Sequence, residues 1–358
     1  MNNPQSDTQL LRGRISEERL MEIRREAESR AQHFPGAAST SAGLPARADA
    51  ESGYYALPLL KPPRWKWQVP AYFFTGGAAG ASAVIAAIAR FSAKDPGLAR
   101  DAQRLATAGA FVSPILLSSD LGRPARFLNM LRVFKPQSPM SVGAWILAGF
   151  SASSTAVSVL DLRSHHSRLG SDGHSILQPT TQVFAALMGL GLSTYTGVLI
   201  GATAVPVWYE NVGLLPYHFG ASALGSAVGL LELAGHHSSD ALGLLGIGAA
   251  CAETVAEART EIKSDRALKP LKSGKSGWLT RLGSILSGPV PLVLRLLAGR
   301  RSSARSDNLR RIAAASCVAG AVLTRAGWIA AGSASTKDAA VSLTLANGRS
   351  KQSTQIVA

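Results

Sequence analysis

The chain has 358 residues, 46% of them apolar and only 6% aromatic, with 37 basic against 22 acidic side chains and a formal charge of +15. Length alone would suit two soluble domains, but the apolar residues come in runs long enough to cross a hydrocarbon layer of about 30 Å, and the basic residues flank those runs, which points their charge to a membrane surface and away from nucleic acid. The two cysteines, Cys251 and Cys317, lie far apart inside apolar runs, which excludes a disulfide framework or a cysteine-ligated cluster.

Residues 1–60 are polar and form an extramembrane arm, with a helix expected over residues 9–31 and a linker rich in Ala, Ser, Pro and Gly over 33–50. No stretch there resembles a signal-peptide core, so insertion is expected to rely on the first membrane helix. Lys61-Pro-Pro-Arg-Trp-Lys-Trp follows, with prolines that block a helix and Trp65 and Trp67 suited to the headgroup layer. Spanning helices are expected over residues 69–89, 102–119, 141–160, 181–203, 214–233, 241–258, 282–298 and 311–331, about eight in an all-α polytopic membrane protein. The seventh is interrupted by Pro289, Pro291 and Arg295. The membrane domain covers residues 61–335, and residues 336–358 form a polar tail. Glycines spaced four apart at Gly76 and Gly80, Gly197 and Gly201, and Gly225 and Gly229 allow close helix contact. An even count of helices puts both termini on one face, and the basic loop 259–281 with segment 123–135 marks that face as cytoplasmic in a bacterial inner membrane.

Among the charged residues, Asp120 ends the second apolar run, where an acid is costly unless it is paired or functional. It suits a proton-exchanging carboxylate, and equally a salt bridge with Arg123 or Arg126. Arg126, Arg132 and Lys135, in a loop turned by Pro124, Pro136 and Pro139, either meet an acidic partner or are ordinary surface charge. Tyr195, inside the fourth run, serves packing or donates to a bound carbonyl. Glu232, Glu253 and Arg325 lie in or near apolar runs and face the bundle interior, as a proton path or as internal ion pairs.

The stretch Ser119-Asp-Leu-Gly-Arg-Pro-Ala-Arg-Phe-Leu-Asn-Met-Leu-Arg-Val-Phe-Lys-Pro-Gln-Ser-Pro-Met-Ser-Val-Gly resembles the signature of the NrfD family of membrane subunits, which includes the polysulfide reductase anchor. Tyr195-Thr-Gly-Val-Leu-Ile-Gly-Ala-Thr-Ala-Val-Pro-Val-Trp and Thr324-Arg-Ala-Gly-Trp-Ile-Ala-Ala-Gly-Ser-Ala-Ser are similar to the family's fourth and last helices. The resemblance covers residues 57–338. It implies two four-helix bundles without haem or metal, exchanging electrons between a membrane quinone, menaquinone or ubiquinone, and a ferredoxin-like iron–sulfur subunit, with a molybdopterin-type catalytic subunit completing the complex. It also implies that Asp120 lies beside the quinone headgroup, with Arg123 in the same motif and Gln68 and Tyr72 as further quinone-binding residues; Tyr195 joins these candidates through its own phenol rather than through the resemblance.

Three other readings compete. A haem anchor needs facing axial histidines, whereas His165, His166, His174, His236 and His237 fall in loops and His218 stands alone in the fifth run. A secondary transporter would show related halves and a polar midplane site, and no internal repeat is evident. A purely structural anchor of a soluble enzyme would have no need of Asp120.

Overall fold

The computed structural model describes residues 60–337, apart from 62, 64, 93–94, 122–124, 167–173, 264–265 and 300–302, together with Met21 and Arg25. The chain divides into two compact units, Met1–Ala48 and Asp49–Ala358. Of the expected helix over 9–31, only Met21 and Arg25 are described, both helical and exposed.

Among the described residues of the larger unit there is no strand. Its long helices are α1 (Gln68–Ser92), α2 (Pro96–Asp120), α3 (Pro139–His166), α4 (His174–Gly201), α5 (Leu215–Leu231), α6 (Asp240–Ile262), α7 (Gly274–Ser287), α8 (Pro289–Ala298) and α9 (Ala304–Ser335). Among the described residues six segments are long and apolar enough to cross a membrane: α1, α3, α4, α6, α9, and α7 with α8 taken as one. The remaining expected spans coincide with α2, whose first turns carry Arg100, Asp101 and Arg104, and with α5, which is 17 residues long. The expected count of eight rests on those two.

Helices α1 to α4 pack as one four-helix group, and α5, α6, the α7–α8 segment and α9 as a second, with α5 touching both α1 and α4. Small residues set the closest approaches. A methyl on Gly80 would overlap the carbonyl of Gly189 on α4, so these helices meet backbone to backbone. On α5, a methyl on Gly229 would lie 2.9 Å from the Ala314 carbonyl of α9. Gly76, by contrast, faces only ordinary contacts at 3.5 Å or more.

Proline leaves a trace in α2. Pro114 cannot donate to the carbonyl four residues earlier, and that carbonyl, on Ala110, accepts instead from Ser151 Oγ of α3 at 2.9 Å. The seventh expected span begins earlier than its apolar run, at Gly274, and breaks at Gly288, where Pro289 starts α8. Trp67 is exposed, as suits a headgroup anchor, but Trp65 turns inward and stacks on Trp208 with ring centroids 5.2 Å apart.

Candidate functional site

The end of the first bundle that holds the start of α1 and the end of α2 gathers most of the expected site. Pro70 lies in the first turn of α1, where its missing N–H costs nothing. Gln68, Tyr72 and Gly76 then recur at helical spacing along one face. Thr75 Oγ1 lies 3.3 Å from Ser113 Oγ on α2, and a methyl on Gly109 would overlap Ala79. These two contacts fix the antiparallel register of the pair. Seven residues further toward the bundle end, about 10 Å of helix, Gln68 stands level with Asp120.

Asp120 is the last residue of α2 and half-buried. A carboxylate at a helix C-terminus opposes the helix dipole, so α2 gains no stability from an acid there. Among the described residues no cation or donor lies within hydrogen-bonding distance of it, while Arg123, the nearest expected partner, lies outside the described residues. Gln68 Oε1 is buried and, among the described residues, without a hydrogen-bond partner. Tyr72 is almost fully buried, with Phe73 against it and Leu192 and Ser113 around the adjacent Gly76.

Tyr195 lies close by and has a definite structural task. Its hydroxyl donates to the Pro139 carbonyl at 2.8 Å, at the start of α3. Its ring fills the space over Gly143, where a methyl would overlap it. The same contact shows why residue 143 is glycine, which sequence reasoning did not single out.

The loop between α2 and α3 holds a seven-residue helix, Ala125–Leu131. Ser141 Oγ accepts from the Lys135 backbone N–H at 3.1 Å and donates to the Val133 carbonyl at 3.3 Å, pinning the loop to α3. Arg132 and Lys135 are exposed there and line a shallow depression of about 490 Å³ with Asn129 and Met140. Arg126 lies in the short helix.

Glu232, Glu253 and Arg325 stand in the second bundle. Arg295 of α8 forks across the Glu232 carboxylate at 2.5 and 2.8 Å, with both side chains at most 3% exposed. Gly246 of α6 makes room for that guanidinium, since a methyl there would overlap it. Glu253 accepts from Ser287 Oγ, and His218 Nε2 lies 3.8 Å from the same carboxylate oxygen. Arg325 is not in the Glu232 pair. It donates to the Phe73 carbonyl at 3.2 Å and to Ser222 Oγ at 2.7 Å, and sits 5.4 Å over the Phe219 ring. Through Phe73 it ties α9 to the helix that carries Tyr72. His218, alone in sequence, is fully buried between Phe219 and Trp328, and both its ring nitrogens are without a hydrogen-bond partner among the described residues.

No curated protein matches the chain. The polysulphide reductase NrfD family matches over residues 60–237, which takes in α1 to α5 with Gln68, Tyr72, Asp120, Tyr195 and Glu232, and leaves Glu253, Arg295 and Arg325 outside. With six membrane-crossing segments among its described residues, the chain is a multi-pass membrane protein that belongs to the NrfD family, whose members are membrane subunits of quinone-linked oxidoreductase complexes.

Proposed function

We propose that the chain is the quinone-handling subunit of its complex, exchanging electrons between the membrane quinone pool and a ferredoxin-like iron–sulfur subunit, with a molybdopterin-type enzyme beyond it. One observation carries this reading: at the end of the α1–α2 pair a buried amide oxygen on Gln68, unpartnered among the described residues, stands level with a carboxylate on Asp120 that contributes nothing to its own helix. Quinol oxidation releases two electrons and two protons, and quinone reduction takes them up, so the site needs one hydrogen-bonding group to hold a ring oxygen and one titratable group to move its proton. Gln68 Oε1 fits the first task as an acceptor for a quinol hydroxyl. Asp120 fits the second. Arg123, three residues after Asp120 in the sequence, is assigned to orienting that carboxylate.

Tyr72 supplies a buried phenolic wall to the site, while Tyr195 is assigned to positioning the start of α3, since its hydroxyl is already engaged with Pro139. Arg126, Arg132 and Lys135 are assigned to the partner interface, on the connection that follows Asp120. The quinone, menaquinone or ubiquinone, is the bound substrate, and the electrons leave through the partner because this chain is read as carrying neither haem nor metal. Purification of the complex from native membranes tests the reading. Quinol addition is expected to reduce a co-purifying iron–sulfur subunit, observed as bleaching of its cluster absorbance. Quinol turnover by this chain freed of every partner would overturn it.

A further inference from the structure

The far end of the first bundle holds a second feature, independent of the quinone reading. About 25 Å along α2 from Asp120, the mouth between α1, α2, α3 and α4 opens into a cavity of about 800 Å³. Its floor is polar and fixed. Gln103, 2% exposed, donates to Thr107 Oγ1 at 3.2 Å and to the Ser154 carbonyl at 3.1 Å, and accepts from Gln182 at 3.1 Å. Its rim is basic, because Arg90, Arg100 and Arg104 line it against a single carboxylate, Asp161.

That carboxylate is already taken. Arg90 forks across Asp161 at 2.8 and 2.6 Å, and Gln178 donates to it as well. Arg104 uses one nitrogen on Asp101, which His236 also contacts at 2.9 Å. Arg100 donates only from Nε to the Pro96 carbonyl of its own helix, so among the described residues its two terminal nitrogens have no partner. Arg90 Nε is buried and equally without one. The rim thus has unused donors and an excess of positive charge at the depth where the helices leave the hydrocarbon layer.

Beside it runs an apolar groove of about 430 Å³ formed by Phe91, Pro179, Val183, Phe184 and Leu187. The two linings adjoin in sequence on both helices: Arg90 and Phe91 are consecutive on α1, and Gln178 and Pro179 on α4. From Pro179 to Leu187 the groove follows α4 for about 12 Å toward the membrane interior. A basic, hydrogen-bonding mouth beside an apolar groove on the same two helices matches one amphiphile.

We propose that this end of the first bundle binds an anionic phospholipid, its phosphate held by Arg100 and Arg104 at the mouth and one acyl chain lying along Val183, Phe184 and Leu187. The charge excess selects against a zwitterionic lipid, and the groove selects against a free anion.

Native mass spectrometry of the delipidated complex, offered phosphatidylglycerol or phosphatidylcholine, tests this. Phosphatidylglycerol is expected to be retained in preference, and R100A/R104A to weaken its binding about thirtyfold, the loss expected for two arginines at a membrane surface. Phe184→Ser should weaken retention of the lipid while leaving binding of inorganic phosphate unchanged. Both arginines are exposed, and R100Q/R104Q, which keeps side-chain length, should reproduce the loss with an unaltered melting temperature in lipid-free detergent. Equal retention of the two lipids, or retention untouched by the arginine variants, overturns the proposal. So does displacement of phosphatidylglycerol by inorganic phosphate together with indifference to Phe184→Ser, which would mark an anion pocket without a lipid.

Discussion

Removing Arg295 alone should destabilise the second bundle more than removing the whole Glu232–Arg295 pair. The two side chains are 1% and 3% exposed and share two hydrogen bonds, so Arg295→Met leaves a carboxylate buried without its counter-charge. Breaking one side of such a pair costs about 3–5 kcal/mol, whereas replacing both partners by apolar residues of similar volume is neutral or stabilising. Glu232→Leu combined with Arg295→Met should therefore recover most of the loss seen in either single variant. Gly246→Ala should mimic the arginine deletion, because its methyl would occupy the guanidinium's place. Thermal unfolding in detergent, with membrane abundance as a second measure, gives the double-mutant cycle. A fully stable Arg295→Met, or a double variant worse than both singles, would refute a buried pair that matters for stability.

Other expectations can be checked with similar means. Tyr195→Phe should cost about 1 kcal/mol, the worth of its hydrogen bond to Pro139, and leave turnover per assembled complex at the parent level, whereas loss of turnover at normal abundance would return Tyr195 to the quinone site. Gly143→Ala should cost about 1–3 kcal/mol by forcing its methyl into the Tyr195 ring, measured as a fall in melting temperature that Tyr195→Ala in the same chain partly restores. Cysteine labelling at Ser6 and Ser353 should find both ends on the cytoplasmic side, and opposite reactivity would mean that one expected span does not cross.

The helices were legible because apolar runs and prolines report on the local chain, and each expected span overlaps a helix, the seventh straddling the break at Gly288. Their ends were less so. Helix α3 continues past its apolar run to His166, and α9 begins at Ala304, because helical hydrogen bonding does not stop where hydrophobicity does. Arg295 read as an interruption since its partner Glu232 is 63 residues away in sequence. Trp65 read as a headgroup anchor for the same reason, its stacking partner Trp208 lying far along the chain. At the site, Asp120 and the loop after it stood out as a motif, and Gln68 and Tyr72 only through the family resemblance. What no local pattern could supply was register: the level of Gln68 against Asp120 depends on Thr75 meeting Ser113 across two helices. The basic mouth at the other end was equally hidden, since four helices contribute to it, α1 and α4 with a single polar residue each, Arg90 and Gln178.

The central claim turns on Asp120 and is tested most directly by Asp120→Asn, with quinone-linked turnover normalised to the amount of assembled complex. The substitution keeps the size and one hydrogen-bonding oxygen but removes the titratable proton. A proton-exchanging carboxylate predicts normal assembly and a fall in turnover of about a hundredfold, in line with general acid–base contributions. Full turnover in a complex of normal abundance would contradict the account.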